Sequence, residues 1–347
     1  MTGDQAGPNC PLPDRDIPRI QMAHGGGGRM MQNLIRDIIM PAFRNPLLDQ
    51  QHDGAIFPGG HGEMAFTTDG HVVQPLFFPG GDIGTLAING AINDLAMCGA
   101  KPWHIAVSLI LEEGFPIDDL RTLVGSMAAA AAAVGANIVT GDTKVVERGK
   151  GDGLFVTTSA IGRVCTPSRP VPDAVQPGDA ILLSGDIGRH GIAIMAARAG
   201  LTFTPPLESD CAPLWPVVEA LIDHGIDLHC LRDLTRGGLT AGLVEVAETV
   251  QLGLEVETAA IPVSEPVRNA CELFGLDPLH VANEGRFIAY VPSAQAQDAV
   301  AVMHRFGDAR QIGRVAEEQT GAVVLNSPYG SSRRLRLPNG EQLPRIC

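Results

Sequence analysis

This chain is short of three things: aromatic side chains, basic residues and long apolar runs. Aromatics make up 4% of its 347 residues, so a recognition surface built from aromatic rings is not expected. Twenty-five Lys and Arg stand against 39 Asp and Glu, a formal net charge of −14. That excludes the basic footprint a nucleic-acid partner needs. The apolar run Met127–Val134 falls far short of the roughly 18–20 residues of a membrane span. Residues 1–18 are polar and carry four prolines, unlike a signal peptide. The cysteines number seven with no C-x-x-C pair, the pattern of reduced thiols in a cytoplasmic protein. Neither a Walker A motif nor G-x-G-x-x-G occurs. His24, His104, His190 and His280 show no i, i+4 pairing, so no zinc site is expected.

What is present is a 45% hydrophobic, 18% charged composition with 41 glycines and 26 prolines. It fits a globular protein rich in tight turns and close backbone approaches, long enough for two domains with a core each. A leader, 1–19, precedes a first domain over 20–166. A Pro-rich linker follows at 167–178, then a second domain over 179–330 and a mobile tail over 331–347. Strands are expected at Ala65–Asp69, His104–Leu111, Asn137–Thr140, Phe155–Ile161, Ala180–Ser184, Arg286–Val291, Ile312–Val315 and Ala322–Leu325. Helices are expected at Ile83–Cys98, Ile117–Val134, Leu214–His224, Gly238–Val250, Pro266–Phe274 and Ala294–Arg305. This alternation indicates an α/β or α+β protein, and no internal repeat is evident.

Several carboxylates stand at element ends. Asp69, Asp82 and Asp142 sit where a strand or turn ends or a helix begins, and Asn93-Asp94 interrupts an otherwise apolar helix. A carboxylate there is either exposed or neutralised, since burying it unpaired is costly. As a group these carboxylates suit Mg²⁺, which prefers oxygen ligands; helix capping and solvent exposure are the plain alternatives. The loop His24–Arg29 before a helix, with Gly26 and Gly27, can present N–H groups to an anion or serve as a flexible turn. Asp233-Leu234-Thr235-Arg236-Gly237-Gly238 is a second glycine loop, either a phosphate contact or an N-cap. Lys144 follows Asp142 on one expected loop, for phosphate or for a surface ion pair. Glu284, before a strand, is a candidate acid or base.

Cys347 is the hardest residue to explain as structure. A CaaX prenylation signal needs three residues after the thiol, and none follow it here. An extended tail over 331–347 reaches about 55–60 Å, enough for a swinging arm.

Together, His24-Gly25-Gly26-Gly27, Thr68-Asp69, Gln74–Gly81, Asn93-Asp94, Thr140–Val146, Asp233–Gly238, Ala282–Gly285 and Pro344-Arg345-Ile346-Cys347 resemble the HypE family of hydrogenase maturation proteins. That family lies in the superfamily of aminoimidazole ribonucleotide synthetase and selenophosphate synthetase. The resemblance runs from about Ile20 to Cys347. Most of its motifs mark the superfamily, and the Pro-Arg-Ile-Cys terminus marks the family.

The resemblance implies a two-domain PurM-like fold, with an N-terminal domain that forms a β-barrel in a homodimer and a C-terminal α+β sandwich domain. It implies ATP in the cleft between the domains, Mg²⁺ on Asp69, Asp94 and Asp142, and contacts to the nucleotide from His24, Gly26, Gly27, Lys144, Asp233, Thr235, Arg236, Gly237 and Gly238. A carbamoyltransferase, HypF, would load a carbamoyl group on Cys347. The chain would dehydrate it to a thiocyanate with Glu284 and Lys144 assisting, and pass cyanide to iron on a HypC–HypD complex. Two rivals remain: another ATP-dependent enzyme of the superfamily, and a carrier that only presents Cys347 to a metal-bearing partner. A selenophosphate synthetase is disfavoured because Cys10 lies well before the His24–Arg29 loop, which has no lysine.

Overall fold

The computed structural model describes residues 19–21, 33–45, 62–204, 206–318, 320–337 and 345–347. After a short helical turn, α1 (Met40–Phe43), the first half is built on strand β1 (Met64–His71), the ribbon β2 (Phe77–Phe78) and β3 (Gly81–Asp82), and helix α2 (Ile83–Met97). Strand β4 (Ala100–Glu112), helix α3 (Ile117–Ala133), and strands β5 (Asn137–Val146) and β6 (Leu154–Val164) complete it.

The four long strands form one open sheet in the order β1-β6-β4-β5, antiparallel except for the parallel β4–β5 pair. Helices α2 and α3 cover one face. On the other face Phe66 is 69% exposed, with Met64 and Ile110 also open to solvent. Among the described residues the sheet stays open and closes no barrel.

Helix α2 begins where Asp82 accepts the Thr85 N–H at 2.8 Å while the Thr85 hydroxyl accepts the Asp82 N–H at 2.9 Å. This reciprocal cap, with Ser126 donating to the other Asp82 oxygen at 2.6 Å, gives Asp82 a structural role. Thirteen of the fifteen α2 residues are buried. A helix apolar on all sides must be enclosed on all sides, and α2 packs on the sheet, on α3 and on the second half.

The second half contains β7 (Ala180–Leu183), α4 (Arg189–Ala199), α5 (Trp215–Asp223), β8 (Cys230–Asp233), α6 (Gly238–Val250), β9 (Leu254–Glu257) and α7 (Glu265–Phe274). Strand β10 (Phe287–Val291), helix α8 (Ala296–Met303) and strands β11 (Arg310–Val315), β12 (Val323–Asn326) and β13 (Ser332–Leu335) follow. Its seven-stranded sheet runs β13-β12-β9-β11-β7-β10-β8, and only β12–β9 is parallel. Alternate residues of β10 enter different cores. Phe287, Ala289 and Val291 join the core that also holds α2, while Ile288 and Tyr290 join a second core with α6. Both faces are covered, which is why β10 reads as an unbroken apolar run.

Three expectations are corrected. Gly141-Asp142-Thr143-Lys144 is not a loop: β5 stays paired with β4 through Val146, so these residues lie within a strand. The segment read as a mobile tail begins with β13, paired to β12, and next to its end Ile346, 2% exposed, lies in the first core. The domains were expected to bury a core each, yet that first core draws residues from both halves.

Candidate active site

Residues from five places in the sequence meet at one site. Along β1 the side chains alternate, and Thr67 and Asp69 point toward α2 while Phe66 and Thr68 point away. The Thr67 hydroxyl donates to Asp94 Oδ2 at 2.6 Å, which joins strand and helix. Gly90, one turn before Asp94, has to lack a side chain. A Cβ there would lie 2.9 Å from His71 Nε2 and 3.3 Å from Asp69 Oδ2.

Asp233 ends β8 and is followed by the turn into α6. Gly238 at the helix start has φ +60°, and a Cβ on it would meet the Val281 carbonyl at 2.6 Å. The D-x-T-R-G-G spacing therefore packs this loop directly on the Leu279–Val281 backbone. Asn93, buried, donates to the carbonyls of Ala212 and Glu284 at 3.1 and 3.2 Å and accepts the Leu214 N–H at 2.7 Å. It stitches α2 to the second half and brings Glu284 to the cleft.

The carboxylates feel one another. Burial, then the Asp94 charge, pushes Asp69 up to about 6. Burial, then Asp94 with Asp69, pushes Asp233 up to about 7. Burial raises Asp94, and the Thr67 hydrogen bond and Arg232 oppose it. Glu284 is held well above the usual carboxylate range by burial, with Asp233, Asp210, Asp69 and Asp94 adding repulsion. It is 4% exposed, and its Oε1 has no hydrogen-bond partner among the described residues.

The C-terminal residues close the cleft. Val72 N–H donates to the Cys347 main-chain oxygen at 3.3 Å, and Gln74 N–H to the Arg345 carbonyl at 3.4 Å. Arg345 also pairs with Asp152. The Cys347 sulfur lies 3.7 Å from Arg236 Nη2. Burial, then the Glu284 charge, pushes this thiol up to about 11, and Arg236 pulls against them.

The structure thus brings together Asp69, Asp94, Asp233, Arg236, Glu284 and Cys347, and the turn holding Thr235 and Gly237. It does not bring Asp142 and Lys144 to them. Asp142 pairs in register with Ser108 and lies on the uncovered face of the sheet. Strand β5 is also three strand spacings from β1, about 14 Å. There Lys144 pairs with Asp142 at 2.8 Å. His24, Gly26 and Gly27 lie outside the described residues.

Among the described residues no three His, Cys, Asp or Glu stand as a formed metal site. The like charge at Asp69, Asp94 and Asp233, only partly offset by Thr67 and Arg232, nonetheless fits a divalent cation with oxygen ligands.

The pattern of the AIR synthase related protein N-terminal domain matches residues 51–164, and that of its C-terminal domain matches 176–326. A carbamoyl dehydratase HypE of Azotobacter vinelandii is 48% identical over 331 residues, 94% of this chain and 97% of that protein. The chain belongs to the HypE family. A crystal structure of HypE in complex with ATP superimposes with a TM-score of 0.90 at 44% identity, covering 94% of this chain and 99% of that one. The crystal structure of a HypE–HypF complex gives 0.77 at 42% identity, over 88% and 99%. These comparisons place the chain in a two-domain PurM-like α/β fold shared with other HypE proteins.

Sequence reasoning missed Thr67, His71, His190, Ser209 and Asp210. Thr67 was legible in part, two residues before Asp69 on an alternating strand and so on the same face.

Proposed function

We propose that this chain is an ATP-dependent carbamoyl dehydratase acting on its own C-terminal thiol. The observation that carries the reading is the docked Cys347 sulfur, 3.7 Å from Arg236 and beside the buried Glu284. An S-carbamoyl group on Cys347, loaded by a HypF-type carbamoyltransferase, would present its oxygen and its NH₂ to this cleft. The oxygen is a poor leaving group. Transfer of the γ-phosphoryl of ATP to it makes it a good one. Loss of both amide protons then expels inorganic phosphate and leaves S–C≡N, while ATP becomes ADP. The nitrile would pass as cyanide to iron on a HypC–HypD complex.

In this scheme Arg236 supplies positive charge at the transferring phosphoryl, and the Gly237-Gly238 turn lets backbone approach phosphate closely. Glu284 takes amide protons, and its raised pKa makes it a stronger base than an exposed carboxylate. Asp69, Asp94 and Asp233 would hold Mg²⁺, which neutralises phosphate charge when bound. The solvent-open face bearing Phe66, Met64 and Ile110 becomes the interface of a homodimer, where two four-stranded sheets close a barrel. Asp142 and Lys144 on that face serve the partner's nucleotide. His24, Gly26 and Gly27 complete the phosphate site.

Intact mass spectrometry of protein carbamoylated at Cys347 tests this, before and after Mg·ATP. Loss of one water from the C-terminal peptide is expected. An unchanged mass in folded, ATP-binding protein would overturn it.

A further inference from the structure

The backbone pairing of the C-terminal residues leaves one carbonyl to be explained. The Arg345 and Cys347 oxygens accept from the Val72–Gln74 segment, with Arg345 in a left-handed turn at φ +56°. The Ile346 carbonyl between them points the other way, into the protein, where water cannot reach it. A buried carbonyl without a donor would oppose docking of the whole segment.

His190 meets it. This residue is 0% exposed at the start of α4, and its Nε2 lies 2.8 Å from the Ile346 carbonyl. Its Nδ1 lies 2.8 Å from Ser209 Oγ. The Cys211 N–H donates to that same Ser209 oxygen at 3.0 Å, so the hydroxyl hydrogen is free to point at Nδ1. The partners therefore select one tautomer. Ser209 donates to Nδ1, and Nε2–H donates to Ile346. The ring is fixed on its other sides as well. Its backbone N–H donates to Asp210 Oδ1 at 3.1 Å, and Phe78 packs edge-on at 5.5 Å between ring centres. Burial holds its pKa below the ordinary imidazole range, with Asp210 and the Ile346 carbonyl pulling against it.

We infer that His190 is a positioning residue: through the Ser209–His190–Ile346 chain of hydrogen bonds it latches the C-terminal segment and so sets where the Cys347 sulfur sits beside Arg236 and Glu284. The ring's Nε2 hydrogen bond goes to the Ile346 carbonyl rather than to the thiol. A latch placed one residue before the thiol fixes the sulfur while leaving it unencumbered, so a carbamoyl group can be carried in without breaking the contact. The consequence for catalysis rests on the reading of Cys347 as the carbamoyl-bearing residue; the latch itself does not.

The test reads the latch separately from the reaction. His190→Phe keeps the ring and its packing on Phe78 and removes both hydrogen bonds. In the full-length protein, without ATP or carbamoylation, iodoacetamide labelling of Cys347 is followed by peptide mass. Labelling about tenfold faster than in the parent protein is expected, because the docked thiol is shielded. His190→Gln, whose amide N–H can reach the Ile346 carbonyl, should return the rate toward the parent value. Ser209→Ala, which loosens the ring without removing it, should give an intermediate rate and carries the test if His190→Phe does not fold. Equal labelling rates in folded His190→Phe, or in Ser209→Ala where that must stand in, and the parent would overturn the proposal. On carbamoylated protein, His190→Phe should lower kcat for dehydration about tenfold with KM for ATP unchanged, and a change confined to KM would overturn the positioning role. If the parent protein itself loses no water, the dehydratase reading fails while the labelling result stands.

Discussion

The Thr67 hydroxyl donates to Asp94 at 2.6 Å, bridging the sheet and the buried helix at the centre of the carboxylate cluster. It partly offsets the burial that pushes Asp94 up. Burial first, and then repulsion from Asp94, raises the neighbours, Asp69 to about 6 and Asp233 to about 7. A self-repelling carboxylate cluster is one the fold retains at a cost in stability.

That cost can be read by pH. The folded pKa of Asp233 is raised from 3.8 to about 7, so the folded state binds more protons than the unfolded state between those values. Stability from this group therefore falls as pH rises through that window. Asp233→Asn should melt higher than the parent without nucleotide, by about 2–4 °C at pH 8. The gain should grow from about pH 4 to 7 and level off above it. A gain independent of pH would show that the carboxylate is not the cause. The buried His190, with its pKa lowered, works in the opposite sense below its unfolded value, and the parent comparison cancels it.

Arg236 should tune the thiol. Arg236→Met keeps the bulk and removes the charge, so the Cys347 pKa rises further from about 11. Iodoacetamide labelling at pH 9 should slow about two- to threefold, a modest change because the guanidinium is exposed. An unchanged rate would mean that the 3.7 Å contact carries no electrostatic weight.

The position of Lys144 on the open sheet face predicts complementation. Lys144→Ala and Glu284→Gln proteins should each fail to dehydrate carbamoylated Cys347. Mixed and allowed to exchange subunits, they should recover about a quarter of parent activity, since half the dimers would be mixed and each would hold one intact site. No recovery, with mixed dimers demonstrated, would put both residues in one chain's site.

Asn93 should be a point of stability rather than chemistry. Asn93→Ala removes a buried amide that makes three hydrogen bonds across the two halves. A loss of about 2–4 kcal/mol in urea unfolding is expected. A loss near zero would mean the halves are held by apolar packing alone.

Much of the fold was legible because its periodicities are strong. The apolar spacing of Ile83–Cys98 and the start of α6 at Gly238 both match the observed elements. The site was legible where a polar residue broke an apolar pattern, as Asp94 does. Asp142 misled because Thr140-Gly141-Asp142 looks like a strand ending on a ligand. Parallel pairing with β4 carries that strand four residues further and turns the side chain to the other face. Strand β13 was illegible because three of its four residues are exposed and polar, and pairing with β12 alone makes it a strand. His190 and Ser209 were illegible because what they hold is a main-chain carbonyl, which leaves no mark on the sequence.

Helix α2 belongs to the first half by chain order and to both by burial. A protease cutting the Pro-rich stretch between the halves would therefore separate the covalent chain and not the particle. The two fragments would elute together, and the cleft between them would survive the nick.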